Sequence, residues 1–244
     1  MTQHKPAFSE LRRQLKGLGG LADGMPRHGI VPLGLAPIDA VLPQGGLARG
    51  RLHGIAGEAG ATAGFALFLL GRLAESGIVL WCGRERDRAP LYPPALAAFG
   101  FDPARLWRVE ARDNRMVLEA MEEGLRSAAL GAVVGEADPV GRVESRRLQL
   151  AAETSGVTAL LLGGRILAGT ETTRWRVEAM PSAAVPWAGL GGARWRVDLE
   201  RGGLAGPRAW LMEHDDATHG FAVVAPLGDR SAHPRRGTAG DIAA

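Results

Sequence analysis

A predicted strand, a glycine-rich stretch and an apolar helix follow one another between Arg51 and Glu75, and this order constrains the chain more than any other feature. Residues 51–56 read as a strand, 57–64 as a glycine loop and 65–75 as a helix. That succession is the first half of a strand–helix–strand unit. The alternation then continues. The run IVLWC at 78–82 is apolar throughout, as a buried parallel strand requires. Residues 93–99 read as a helix, 106–110 as a strand, and 116–129 as an amphipathic helix with Val117, Met121 and Leu125 on one face. A strand over 132–135, a helix over 145–154 and a strand over 158–162 complete the series. Strands alternating with helices predict an α/β fold, with a mainly parallel sheet covered on both faces.

The pattern changes after Gly163. The segments RWRV at 174–177 and 194–197 place Trp and Val on one side and Arg on the other, which predicts half-buried antiparallel strands. Residues 209–212 read as a third strand, paired with the second through the glycine-rich turn at 202–206. At the other end, residues 7–18 read as an amphipathic helix carrying Phe8, Leu11, Leu15 and Leu18. It is expected to dock on its own domain; a contact with a partner or neighbouring subunit through Phe8, Leu11 and Leu15 is the sharper alternative. The expected organisation is an N-terminal arm and linker over 1–27, a core over 28–227, and a disordered basic tail over 228–244.

Composition narrows the classes. No apolar run approaches the ~18 residues that cross a bilayer, and the N-terminus lacks the apolar core of a signal peptide. Cys82 is the only cysteine, so no intrachain disulfide forms. A cytoplasmic protein with no membrane contact is expected. Of the 29 cationic residues only Lys5 and Lys16 are lysines. The arginines suit bidentate phosphate contacts, but the net charge of +3 is too small to decide on nucleic acid.

The stretch GGLARGRLHGIAGEAGATAGFAL resembles the RecA family, in which a glycine-rich element leads through a strand into a phosphate loop. Gly45, Gly46, Gly50 and Arg51 match that element. In register with G-x-x-x-x-G-K-[ST], Gly57 opens the loop, Gly60 lies within it, Thr62 replaces the closing glycine, Ala63 the lysine, and Gly64 the hydroxyl residue. The lysine that reaches the β and γ phosphates and the Mg²⁺ ligand are both missing. No lysine follows Lys16 that a shifted register could use. The resemblance puts vestigial acidic positions at Glu85 and at Glu136 or Asp138; solvated carboxylates at strand ends are the competing reading for Glu85 and Glu136. It also puts a DNA-contacting loop after the strand at 158–162, with Arg165, Arg174 and Arg176 as phosphate contacts. For the RWRV arginines, a solvated face balanced by Glu178, Asp198 and Glu200 is the competing reading.

The ordered set VLWCGRERD, LAAFGFDPARLWRVEARD, SRRLQLAAETSGVTALLL and the two RWRV strands resembles the ImuA family over most of the chain. The resemblance implies a RecA-like, non-catalytic accessory factor of damage-induced mutagenesis and translesion synthesis. It implies an ImuB-like Y-family polymerase homologue, an error-prone C-family DNA polymerase, RecA and DNA as contacts, together with self-association. No cofactor is expected, although weak ATP binding stays open. The alternative is a cell-division inhibitor of the SulA type, which binds a cytoskeletal GTPase.

Other motifs carry less. HDDATH at 214–219 fits no zinc spacing and reads as a turn. Cys82 reads as a buried small hydrophobe, and Ser155 and Ser182 lie in no nucleophile elbow.

Overall fold

A computed structural model describes residues 10–11, 13–15, 28–74, 77–85, 91, 93–99, 101–163, 170–182, 191–204, 208–215 and 220–227. A two-residue strand β1 (Ile30–Val31) pairs with β2 (Leu47–Ala48), with a short helix α1 (Ala36–Asp39) between them. The Asp39 carboxylate ties this segment together by accepting from the amides of Leu33, Gly34 and Leu35. The core then runs β3 (Leu52–Gly57), α2 (Ala59–Leu73), β4 (Ile78–Arg84), α3 (Pro93–Ala98), β5 (Leu106–Ala111), α4 (Asn114–Leu125), β6 (Leu130–Glu136), α5 (Arg142–Ser155) and β7 (Thr158–Gly163). Four strands follow: β8 (Thr173–Met180), β9 (Arg194–Arg201), β10 (Arg208–Asp215) and β11 (Gly220–Leu227).

These strands form one nine-stranded sheet in the order β11-β10-β9-β8-β3-β7-β6-β4-β5. From β8 to β5 neighbouring strands are parallel; from β8 to β11 they are antiparallel. A largely parallel sheet with helices on both faces and antiparallel C-terminal strands is a RecA-like arrangement. The helix α2 packs on one face with Leu96 of α3, over Ile55, Val79, Trp81, Val134, Leu160, Trp175 and Val197. The helices α4 and α5 cover the other face, over Leu80, Cys82, Val133 and Leu161. The alternation of these residues along each strand is what sends them to opposite faces.

Local chemistry fixes the helix ends. Asp113 caps α4, its side chain accepting from the Met116 amide at 2.9 Å. Gly156, left-handed at φ 78°, ends α5. Arg105 donates to the Gly77 carbonyl at 2.8 Å and to that of Ala74, and Arg49 to that of Leu73. Two guanidinium groups thus gather at the negative end of α2.

The sequence expectations meet two corrections. The predicted glycine loop over 57–64 is not a loop, because α2 begins at Ala59. β11 was not expected as a strand at all, and the strand read at 209–212 extends to Asp215.

Candidate functional site: the carboxyl ends of the parallel strands

Open α/β sheets bind ligands beyond the carboxyl ends of their strands, where the chain switches direction. Here that rim is formed by Gly57 of β3, Gly163 of β7, Glu136 of β6, and Arg84 and Glu85 at the end of β4. β4 and β6 are neighbours, yet the helices that follow them cover opposite faces. The crevice between them is the switch point.

At β3 the strand passes into α2 through Glu58 alone. The Thr62 amide already donates to the Glu58 carbonyl at 2.9 Å, and the Thr62 hydroxyl donates to the Ala59 carbonyl at 3.0 Å. A hydroxyl engaged with its own helix is a poor metal ligand. Thr62, Ala63 and Gly64 are therefore helical residues within the first two turns, and Thr62 and Gly64 are buried. Two of the glycines here, Gly57 and Gly64, serve packing. Gly57 has φ +142°, and a Cβ there would collide with the Val177 carbonyl oxygen of β8. A Cβ on Gly64 would fall 2.6 Å from the Trp195 ring of β9. Gly60 is exposed with open space around it. Glu58 occupies the cap position of α2 and is exposed, with no capping hydrogen bond from its side chain.

The two acidic positions differ. Glu136 is half-buried and accepts from the Trp81 indole N–H at 2.6 Å. Its carboxylate also lies over Gly83, where a Cβ would fall 2.9 Å from Oε2. Glu85 is exposed at the end of β4. Cys82, beneath them on the other face, is fully buried. Its thiol is pushed up, first by burial and then by the charge of Glu136. Among the described residues, no group of three His, Cys, Asp or Glu could hold a metal.

Of the arginines assigned to DNA, Arg165 lies outside the described residues. Arg174 donates to Glu171 at 2.9 Å, and Arg176 to Glu200 at 2.6 Å. The second RWRV strand repeats the arrangement: Arg194 engages Glu213 at 2.7 Å, and Arg196 engages Asp198 at 2.8 Å. Trp175, Val177, Trp195 and Val197 are buried on the opposite side, as their alternation requires. Leu11 and Leu15 are buried against this chain's own α4–α5 face, and Phe8 lies outside the described residues.

One polar feature escaped the sequence reading. His53 of β3 is fully buried, with Nδ1 2.8 Å from the Thr173 hydroxyl and Nε2 2.9 Å from the Ala48 carbonyl. Trp175 donates its indole N–H to the same hydroxyl at 2.8 Å. A consistent chain runs from Trp175 to Thr173 to His53 to Ala48, with the imidazole neutral and its proton on Nε2. Burial pushes the His53 pKa down to about 4. A single histidine inside an apolar strand gives no sequence signal of such a chain. His214, from the HDDATH motif, is also buried, against the rings of Phe99 and Phe221. Asp215 ends β10 and Gly220 begins β11, so the motif spans a hairpin connection.

No family model matches the chain. Two curated relatives do, the proteins named "Protein ImuA" from Caulobacter vibrioides strains NA1000 / CB15N and ATCC 19089 / CIP 103742 / CB 15. Each is 36% identical over 224 residues, covering 82% of this chain and 91% of the relative. The chain belongs to the ImuA family. For this ImuA-family chain, no helix among the described residues is long and apolar enough to cross a membrane.

Proposed function

We propose that this ImuA-family protein is a non-catalytic, RecA-like accessory factor of damage-induced mutagenesis. In this reading it acts in translesion DNA synthesis by holding partners together: an ImuB-like Y-family polymerase homologue, an error-prone C-family polymerase and DNA. The observation that carries the non-catalytic part is the start of α2. The helix begins at Ala59, one residue after β3, with Ala63 and Gly64 inside it and Glu58 at its positive end. A phosphate loop holds its ligand with successive backbone amides and a lysine; here Ala63 stands at the lysine position inside the helix, the Thr62 amide is engaged with the Glu58 carbonyl, and Gly64 packs under Trp195. Family membership supports the mutagenesis part. The paired arginines of β8 and β9 weigh against the sheet face as a phosphate track, since a DNA strand would have to displace Glu171, Glu200, Glu213 and Asp198.

The test is genetic and physical together. Cells with and without the gene are exposed to a DNA-damaging agent, and induced mutants are counted among survivors. A severalfold drop without the gene is expected, along with co-purification of the ImuB-like protein. Unchanged mutation frequency, combined with filamentation on overexpression, contradicts the proposal and favours the SulA-type alternative.

A further inference from the structure

We propose that the groove between α4 and α5 docks an acidic, amphipathic helix of a partner protein. The inference does not depend on the proposed function and starts from the outer face of α5. A surface helix turns its apolar stripe toward the core and its polar residues toward water. The inner side of α5 follows this rule, with Leu148 and Ala152 buried. Its outer side departs from it. At about 100° per residue, Val143, Arg147, Leu150 and Thr154 fall on one narrow stripe, and all four are exposed. Val143 is 70% exposed and Leu150 45%. Two aliphatic side chains seven residues apart on a solvent-facing stripe match the anchor spacing of helix-in-groove recognition. From Val143 to Thr154 the stripe runs roughly 16 Å, about three turns of a docked helix.

Leu150 and Thr154 also line a groove of about 520 Å³ between α5 and the end of α4, with Ala128, Ala151, Arg126 and Arg147 around them. Charge selects its occupant. Glu122, whose side chain is only 13% exposed, accepts from Arg126 through Oε1 and from Arg147 through Oε2. Glu123, 3.9 Å from Arg126, is recessed as well. Glu144, the exposed carboxylate of α5, lies back against Gly141 at the start of the helix. The arginines stand outermost: Arg126 and Arg147 are 61% and 58% exposed, and Arg142 and Arg146 are exposed on the same helix. A guanidinium has five N–H donors, and the bonds to Glu122 use only part of them. A partner's carboxylate takes the rest, from arginines whose geometry Glu122 already holds. Nucleic acid fits less well, because phosphate gains nothing from Val143 and Leu150 and meets Glu122 and Glu123 behind the arginines. A second copy docked on the same stripe would bring Arg146 and Arg147 against their own counterparts. The occupant that satisfies both the aliphatic pair and the arginines is a helix with aliphatic residues seven apart and carboxylates between them.

The probe is a fluorescein-labelled synthetic helix with leucines seven residues apart and glutamates between them, titrated with the full chain and followed by anisotropy. Binding with a Kd in the tens of micromolar is expected, weakening with added salt. Arg147→Glu and Leu150→Asp, both at exposed positions, should each weaken it at least tenfold, and Arg208→Glu, exposed on β10, should leave it unchanged. A charge reversal separates docking from loss of fold: a probe with lysines in place of the glutamates should bind Arg147→Glu more tightly than the wild-type chain. No binding of the acidic probe up to about a millimolar overturns the proposal. So does equal binding of the acidic and lysine probes by the wild-type chain, or acidic-probe binding that both α5 variants leave intact. A labelled single-stranded oligonucleotide is titrated alongside. If it binds, loses affinity with Arg147→Glu, and the acidic probe does not bind, the groove belongs to nucleic acid and the proposal fails.

Discussion

The carboxyl rim of the parallel strands and the antiparallel extension handle their special residues in related ways. At the rim, residues in positions suited to a ligand are turned to packing: Gly57 against Val177, Gly64 against Trp195, and Glu136 against Trp81. In the extension, residues suited to nucleic acid are turned to one another, each of the four RWRV arginines meeting a carboxylate. The two regions also meet, because Val177 and Trp195 belong to β8 and β9. The strands that extend the sheet are the ones that crowd the first turns of α2. The early helix start and the extra strands are thus parts of one packing arrangement.

The largest effect is expected where the regions touch. Trp195 lies 5% exposed between Gly64 and the rings of Phe99 and Phe221, stacked on them at centroid distances of 5.9 and 4.6 Å. Trp195→Ala should cost about 3–5 kcal/mol in urea unfolding, through lost burial and the cavity left behind. Gly64→Ala should destabilise the wild-type chain and cost much less in the Trp195→Ala background, since the ring it would strike is gone. Additive costs would break the link between the two regions.

The buried His53 also bridges them, joining β3 to Thr173 of β8. Its pKa is about 4 in the folded chain, against 6.5 for an unburied histidine. Between these values the unfolded chain binds a proton that the folded chain does not, so stability falls as pH falls from about 6.5 to about 4. The loss amounts to about 3 kcal/mol, and below pH 4 this contribution is flat. Unfolding curves across that range should show the slope, and His53→Gln should remove most of it.

Smaller effects belong to the extension alone. Arg176 and Glu200 are about one-third exposed, so Arg176→Ala should change stability by less than ~1 kcal/mol. The smallest signal is a null one: a thiol reagent should leave native Cys82 unmodified and react only on unfolding, because burial keeps the thiol protonated.

Much of the fold was legible because its signals are local. The apolar run of β4 and the Val117–Met121–Leu125 stripe of α4 state their element and buried face directly. The start of α2 was not legible. Gly57 and Gly60 read as loop formers, and only the close approach of Val177 shows that Gly57 is there for lack of a Cβ. That contact spans 120 residues of sequence, and no local pattern records it. The strand β11 was missed because it is apolar on both faces and so shows no alternation, and because Pro226 counts against a strand unless it lies at an edge. The RWRV arginines were visible, but Glu213 was not recognisable as the partner of Arg194 without the register of β9 and β10, and Glu171, three residues before Arg174, lay in the segment read as a DNA-contacting loop.

The claim at the centre is that β3 enters α2 without a phosphate loop. Isothermal titration of the purified chain with ATP and Mg²⁺, followed by an assay of phosphate release, tests it most directly. No saturable binding into the millimolar range and no turnover are expected, both for the natural chain and for an Ala63→Lys variant. Saturable micromolar binding with turnover, abolished by a substitution at Gly60, would contradict it.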